Sequence, residues 1–184
     1  WEAIKLESQD GRETTWRQLL QEAELNDVDM KRVLWELAYD AHSHQTMQED
    51  GSTIKPTADI AQADLLRSLR QLHPDHSLDW AERLIQIMAL RAVLLVEGIP
   101  EVYSFPHRTF QEYLAGCHLG NLADFTGQAL QLAAQGAYWR EAILLAVGRL
   151  VHVSGDIDRP LMRVSELCPP LPPALGDGEG WRKV

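Results

Sequence analysis

Residues 102–119 read V-Y-S-F-P-H-R-T-F-Q-E-Y-L-A-G-C-H-L, and the fold is decided here. A short β-branched and aromatic strand over 102–105 breaks at Pro106, presents His107, and becomes a helix. In that helix Phe110, Tyr113, Leu114, Cys117 and His118 recur on one face, which places Phe105, Phe110, Tyr113 and Leu114 in the core. At a strand-to-helix junction the first backbone N–H groups lack intrahelical acceptors, so they and the His side chain face one point suited to an anion such as phosphate. Taken alone, a His in this position is more often a cap or a packing residue.

Working outward, residues 93–96 and 102–105 flank a Gly/Pro turn over 97–101 and read as a β-hairpin, or wing. Upstream, Asn26 and Asp27 cap a helix with Val33, Leu34, Leu37, Ala38 and Ala41 inward, ended by the polar stretch 42–52. Residues 53–55 read as a very short strand. A helix opened by Pro56 and Thr57 turns Ile60, Leu65, Leu66 and Leu69 inward, and Pro74 breaks it. Ser77 caps the next, with Leu78, Ala81, Leu84, Ile85 and Met88 inward. Three helices and a hairpin in this order predict a winged helix. A further helix over 109–123 follows the hairpin, and behind it two helices over 125–135 and 138–151, joined at Gly136, predict the start of a small helical array.

The fold expected is therefore mainly α: a winged helix of three helices plus a β-hairpin, followed by a small helical array. Residues 1–26 read as a helical connecting segment: a helix tail over 1–6, a turn at Asp10 and Gly11, then a short amphipathic helix with Trp16, Leu19, Leu20 and Ala23 inward. Residues 27–124 form the winged helix and 125–168 the repeat-like region, including a short helix over 161–167. Residues 169–184, rich in Pro and Gly, form a linker. The chain opens on Trp1 rather than Met and closes without a capping element, which reads as a piece of a longer protein.

Hydrophobic residues at 45% and charged residues at 24% describe an ordinary globular chain of 184 residues. Its net charge of −10 opposes binding to nucleic acid or an anionic membrane surface, because both need clustered Lys and Arg. Cys117 and Cys168 stand apart with no metal or redox spacing, as expected of reduced thiols in the cytoplasm. No apolar run reaches the roughly 18–20 residues of a membrane span.

Phe105, His107, Phe110, Gln111, Glu112, Tyr113, Leu114 and Ala115 match the pattern Phe-x-His-x-x-Phe-Gln-Glu-Tyr-Phe/Leu-Ala-Ala, and the sequence here resembles the winged-helix subdomain of NACHT proteins, which are STAND-class signalling ATPases. Gly116 replaces the usual second Ala, read as a small change on a helix surface. The stretches beginning at Arg32 and at Trp139 resemble the first helix of the same subdomain and the helix opening the array behind it, so the resemblance covers about residues 28–150. It implies that His107 contacts the β-phosphate of ADP held by the ATPase core of the same chain. That contact keeps the molecule closed until nucleotide exchange lets like subunits oligomerise, in defence or stress signalling. ADP or ATP with Mg would belong to the intact parent, and this segment would hold no cofactor of its own.

There is no Gly-x-x-x-x-Gly-Lys-Ser/Thr loop, so the main phosphate cradle lies outside these residues and the segment is not an enzyme by itself. Glu112 reads as buried and bonded to backbone or to an Arg. His42 with His44, and His73 with His76, lack Cys partners or helical i, i+4 spacing and read as solvated polar residues; Asp156 and Asp158 read as loop residues. Two rival functions stand beside the NACHT module. One is a free-standing winged-helix DNA-binding regulator, whose reading helix over 57–72 has no net positive charge and whose wing is acidic. The other is a helical scaffold that binds protein partners over 138–151.

Overall fold

The computed structural model describes residues 5–7, 13–44, 58–90 and 92–153, together with positions 162, 165 and 167. The expected strand over 53–55, the turn at Asp10 and Gly11, the pair Asp156 and Asp158, Cys168, and the linker over 169–184 lie outside the described residues, as does most of the helix expected over 161–167.

The described residues begin with a pair of strands where a helix tail was expected: β1 (Lys5–Glu7) pairs antiparallel with β2 (Glu13–Thr15). Thr15 ends β2 and caps α1 (Trp16–Glu22) in a capping box with Gln18. Helix α1 buries Trp16, Leu19 and Leu20. Asn26 Oδ1 accepts from the N–H groups of Val28 and Asp29, and so opens α2 (Asp27–His44). Its buried stripe is Met30, Leu34, Leu37, Ala38, Ala41 and His42; the helix therefore runs past the start of the polar stretch.

Helix α3 (Gln62–Arg70) starts later than its sequence suggested, because Ile60 and Ala61 form a strand, β3, instead of a first helical turn. Leu65 and Leu69 are buried, and Leu66 only partly so. Ser77 Oγ accepts from the Trp80 N–H to open α4 (Leu78–Leu90). This helix buries Trp80, Ala81, Leu84, Ile85, Ile87 and Met88, while Leu78, expected inward, is exposed at the first turn.

The first wing strand is displaced from its expected place. Val93 takes a left-handed conformation (φ 51°), and the N–H groups of Leu94 and Leu95 reach back to the Met88 carbonyl. Residues 93–95 thus close the end of α4, and the strand begins where it was expected to end: β4 (Val96–Ile99) pairs with β5 (Val102–Ser104). Glu101 turns between them with φ 64°. The sheet is three-stranded and antiparallel, in the order β3-β5-β4.

Helix α5 (Arg108–Asn121) is the centre of the molecule, packed against α2 on one side and α7 on the other. Helix α6 (Phe125–Ala134) is capped by the Asp124 carboxylate, Gly136 turns at φ 119°, and a 3-10 turn (Ala137–Trp139) leads into α7 (Arg140–Val153). One core joins α1–α4 with the sheet, Phe105 and Leu114; a second gathers Ala115, Leu119, Phe125, Tyr138, Trp139, Ala142 and Ala146. Winged helix and following helices thus meet along a single element.

That meeting corrects the reading of Gly116. It is buried against α7, and a Cβ placed there would stand 2.6 Å from the Ala142 carbonyl oxygen and 3.1 Å from the Ala146 nitrogen. The usual Ala fits only if α7 shifts outward. Gly116→Ala is expected to destabilise the chain by about 1–3 kcal/mol, the range for overpacking a filled contact. Urea unfolding checks this, and unchanged stability would show that the helices part freely.

Candidate functional site

Ser104 ends β5, and Phe105, 1% exposed, anchors the chain before Pro106 turns it outward. His107 then takes the N-cap position of α5 with extended backbone (φ −143°, ψ 143°). Its carbonyl accepts from the N–H groups of Phe110 and Gln111, both at 3.1 Å, while its side chain makes no capping bond and stands exposed. The ring is not spent on the helix it opens. The Phe105 and Phe110 rings meet edge to face at 6.1 Å across the turn and fix the angle at which His107 leaves the core.

Beside it, Arg108 donates from Nε to Glu112 Oε1 at 2.8 Å and lies over the Tyr138 ring, 5.4 Å from its centroid. Glu112 is buried and bonded to an Arg, as expected, and it holds the Arg108 guanidinium next to His107. The sequence reading passed over Arg108, although the i, i+4 spacing to Glu112 was a visible signal.

Below this turn lies a polar cluster that the sequence reading did not find. Gln111 Oε1 accepts from the Ala58 N–H at 3.2 Å, so its Nε2 donates to His42 Nδ1 at 3.2 Å. A ring nitrogen that accepts carries no proton, which puts the proton of the neutral imidazole on Nε2. The Tyr138 hydroxyl lies 3.1 Å from the same Nδ1, with the two rings stacked at 4.2 Å, and Trp139 meets His42 edge-on at 4.5 Å. His42 is therefore fully buried rather than solvated, whereas His44 is exposed with Nδ1 2.7 Å from the Asp40 carbonyl oxygen. Burial holds the His42 pKa down to about 4, and the Arg108 charge adds to the depression. Burial likewise pushes the Tyr138 hydroxyl up. The signal was present in the sequence: His42 stands four residues beyond Ala38, on the same stripe.

Tyr113, expected in the core, is 44% exposed. Helix α5 is covered on both sides, so Gln111, Glu112 and Leu114 turn inward and Tyr113 falls on the seam beside Cys117 and Arg149. Arg149 in turn lies 4.5 Å over the Trp35 ring, tying α7 to α2. The other His pair separates as well: His73 packs against Trp80 with ring centres 5.4 Å apart, and the exposed His76 turns the chain at φ 51°. In α3, Arg67 is paired with Asp64 at 2.7 Å and Arg70 Nε donates to the His76 carbonyl at 2.9 Å; Glu97 and Glu101 stand exposed on the wing.

Helices α2, α3 and α4, with a three-stranded sheet ending in the wing, define a winged helix domain. Residues 1–119 match the family model of the winged helix-turn-helix domain C-terminal to NACHT, and the chain belongs to that family. No curated protein and no solved structure is significantly similar to it. A winged helix domain of this kind is not itself a catalytic domain. Among the described residues, no helix is long and apolar enough to cross a membrane.

Proposed function

We propose that this domain is the regulatory latch of a NACHT ATPase, with His107 contacting the β-phosphate of ADP held by the ATPase core. The observation that carries this reading is the N-cap geometry. An exposed imidazole with no capping bond stands at the positive end of a 14-residue helix, beside a fixed guanidinium. A neutral imidazole donates one hydrogen bond to a phosphate oxygen, and the N–H groups of the first turn favour the same anion. No phosphate loop lies in the sequence, so this site supplies one side of the nucleotide's surroundings and the ATPase core supplies the cradle and any Mg.

The domain's role on this reading is restraint. While ADP is bound, the His107 contact favours the closed arrangement; exchange for ATP removes that preference and frees the module, so that like subunits associate in a signalling response. A ligand shifts such an equilibrium only by its difference in affinity for the two arrangements. One hydrogen bond to a charged group contributes about 1.5–3 kcal/mol, or roughly 10- to 100-fold. His107→Ala in the NACHT-containing protein is therefore expected to speed ADP release by at least about tenfold and to raise resting oligomerisation. Equal ADP content after purification, with unchanged resting behaviour, would remove His107 from this role.

A further inference from the structure

Tyr138 stands where three elements meet, and the phosphate contact of His107 does not itself use it. Its ring stacks on His42, near the end of α2, with centres 4.2 Å apart, and its hydroxyl lies 3.1 Å from Nδ1 of that imidazole. The same ring carries the Arg108 guanidinium of α5, 5.4 Å from its centroid. His42 leads back to the junction through Gln111, whose Nε2 donates to it and whose backbone N–H donates to the His107 carbonyl at 3.1 Å. Contacts therefore run from the 3-10 turn to His107 by two routes, one through Arg108 and one through His42 and Gln111.

The two routes differ in what they pass to an anion. Gln111 spends both ends of its amide in the core, on the Ala58 N–H and on His42, so it fixes backbone and presents no charge. Arg108 is charged, and its side chain is 37% exposed. Glu112 holds its Nε, and its Nη groups make no bond among the described residues. A carboxylate at one edge leaves a guanidinium free to swing about that bond; an aromatic ring against its face restricts the swing. The charge is felt at the cluster. Behind the larger effect of burial, it opposes protonation of His42 and favours ionisation of Tyr138.

The place of Tyr138 is set from the helical side. Gly136, two residues before it, holds φ 119° and ψ −174°, a conformation that essentially only Gly adopts. Among the described residues a Cβ there would meet nothing within 4 Å, so the backbone conformation calls for Gly, and crowding does not. Trp139 follows Tyr138, meets the His42 ring edge-on at 4.5 Å, and leads directly into α7.

We propose that Tyr138 is a positioning residue for the phosphate contact. It holds the Arg108 charge beside His107, so that the turn opening the helical region sets how firmly the nucleotide is retained. The inference rests on the latch reading, and it places part of the control of that latch outside the strand-to-helix junction.

The test times release of fluorescently labelled ADP from the NACHT-containing protein, chased with unlabelled ADP. Tyr138→Leu is expected to speed release about two- to fivefold, the size of one cation–π contact. Tyr138→Phe keeps a ring against the guanidinium and is expected to release ADP at the unsubstituted rate. Arg108→Gln also speeds release, and adding Tyr138→Leu to it changes nothing more, because the effect passes through the guanidinium. A ring that merely supported the fold would instead speed release by the same factor in both backgrounds, which overturns the proposal. So does unchanged release in Tyr138→Leu or, should that variant not fold, in Arg108→Gln. His107→Ala separates the two readings. Faster release there with none in Tyr138→Leu retains the latch and removes this role; the opposite pair of results retains the Tyr138–Arg108 hold and removes the latch.

Discussion

Replacing Trp80 by Ala is expected to cost the folded chain about 3–5 kcal/mol, the range for truncating a buried aromatic side chain. Trp80 is fully buried on α4 and its Nε1–H donates to the Leu19 carbonyl of α1 at 2.7 Å. That bond joins residues 61 positions apart, and Arg83 extends the same junction with a 2.8 Å contact to Glu22. Truncation opens a cavity between α1 and α4 and leaves the Leu19 carbonyl with only the longer 3.3 Å bond from the Ala23 N–H. Trp80→Phe keeps most of the volume and loses the hydrogen bond, so a loss of about 1–2 kcal/mol is expected. Urea unfolding of both variants separates the two contributions. Equal, small losses would show that α1 does not depend on this contact.

Lowering the pH from 6.5 to 4 is expected to remove about 3 kcal/mol of stability through His42 alone, at 1.36 kcal/mol per pKa unit. The folded chain holds this imidazole at about 4, below its ordinary 6.5. Between those values the unfolded chain takes up a proton that the folded chain refuses, so stability falls as the pH falls and levels off below 4. The refusal is physical: Nδ1 already accepts from Gln111, and Nε2 is buried with no hydrogen-bond partner among the described residues. His42→Gln loses stability at pH 7 and also loses this share of the acid slope. Stability measured for both proteins at several pH values gives the difference. Parallel curves would show that His42 is hydrated and titrates freely.

Much of the architecture was legible in the chain. Apolar positions recurring every three or four residues in α1, α2 and α4 marked their buried faces, and Asn26 and Ser77 marked two helix starts. Boundaries failed where tertiary pairing competed with local preference. Ile60 and Ala61 suit a helical stripe, yet β5 offers them a ladder; residues 93–95 look like a strand, yet Met88 offers its carbonyl to their N–H groups. Polar residues were the harder case. Burial of Glu112 beside an Arg was expected, but the burial of Gln111 was not; only the pairing of each with Arg108 or His42 makes that burial tolerable.

By itself, then, the sequence determined the winged helix, the strand-to-helix junction and the identity of His107, because periodicity, caps and a specific motif are local. Only the tertiary structure decided which groups that junction leaves free. The His107 side chain is available because Phe105 and Phe110 close the turn without it, and Arg108 is fixed beside it because Tyr138, from the 3-10 turn ahead of α7, meets the Arg108–Glu112 pair there. Gly116 and His42 show the same dependence. Their environments are set by α7 and by Tyr138, and no local pattern reports how closely two helices will approach or where a buried polar atom will find its partner.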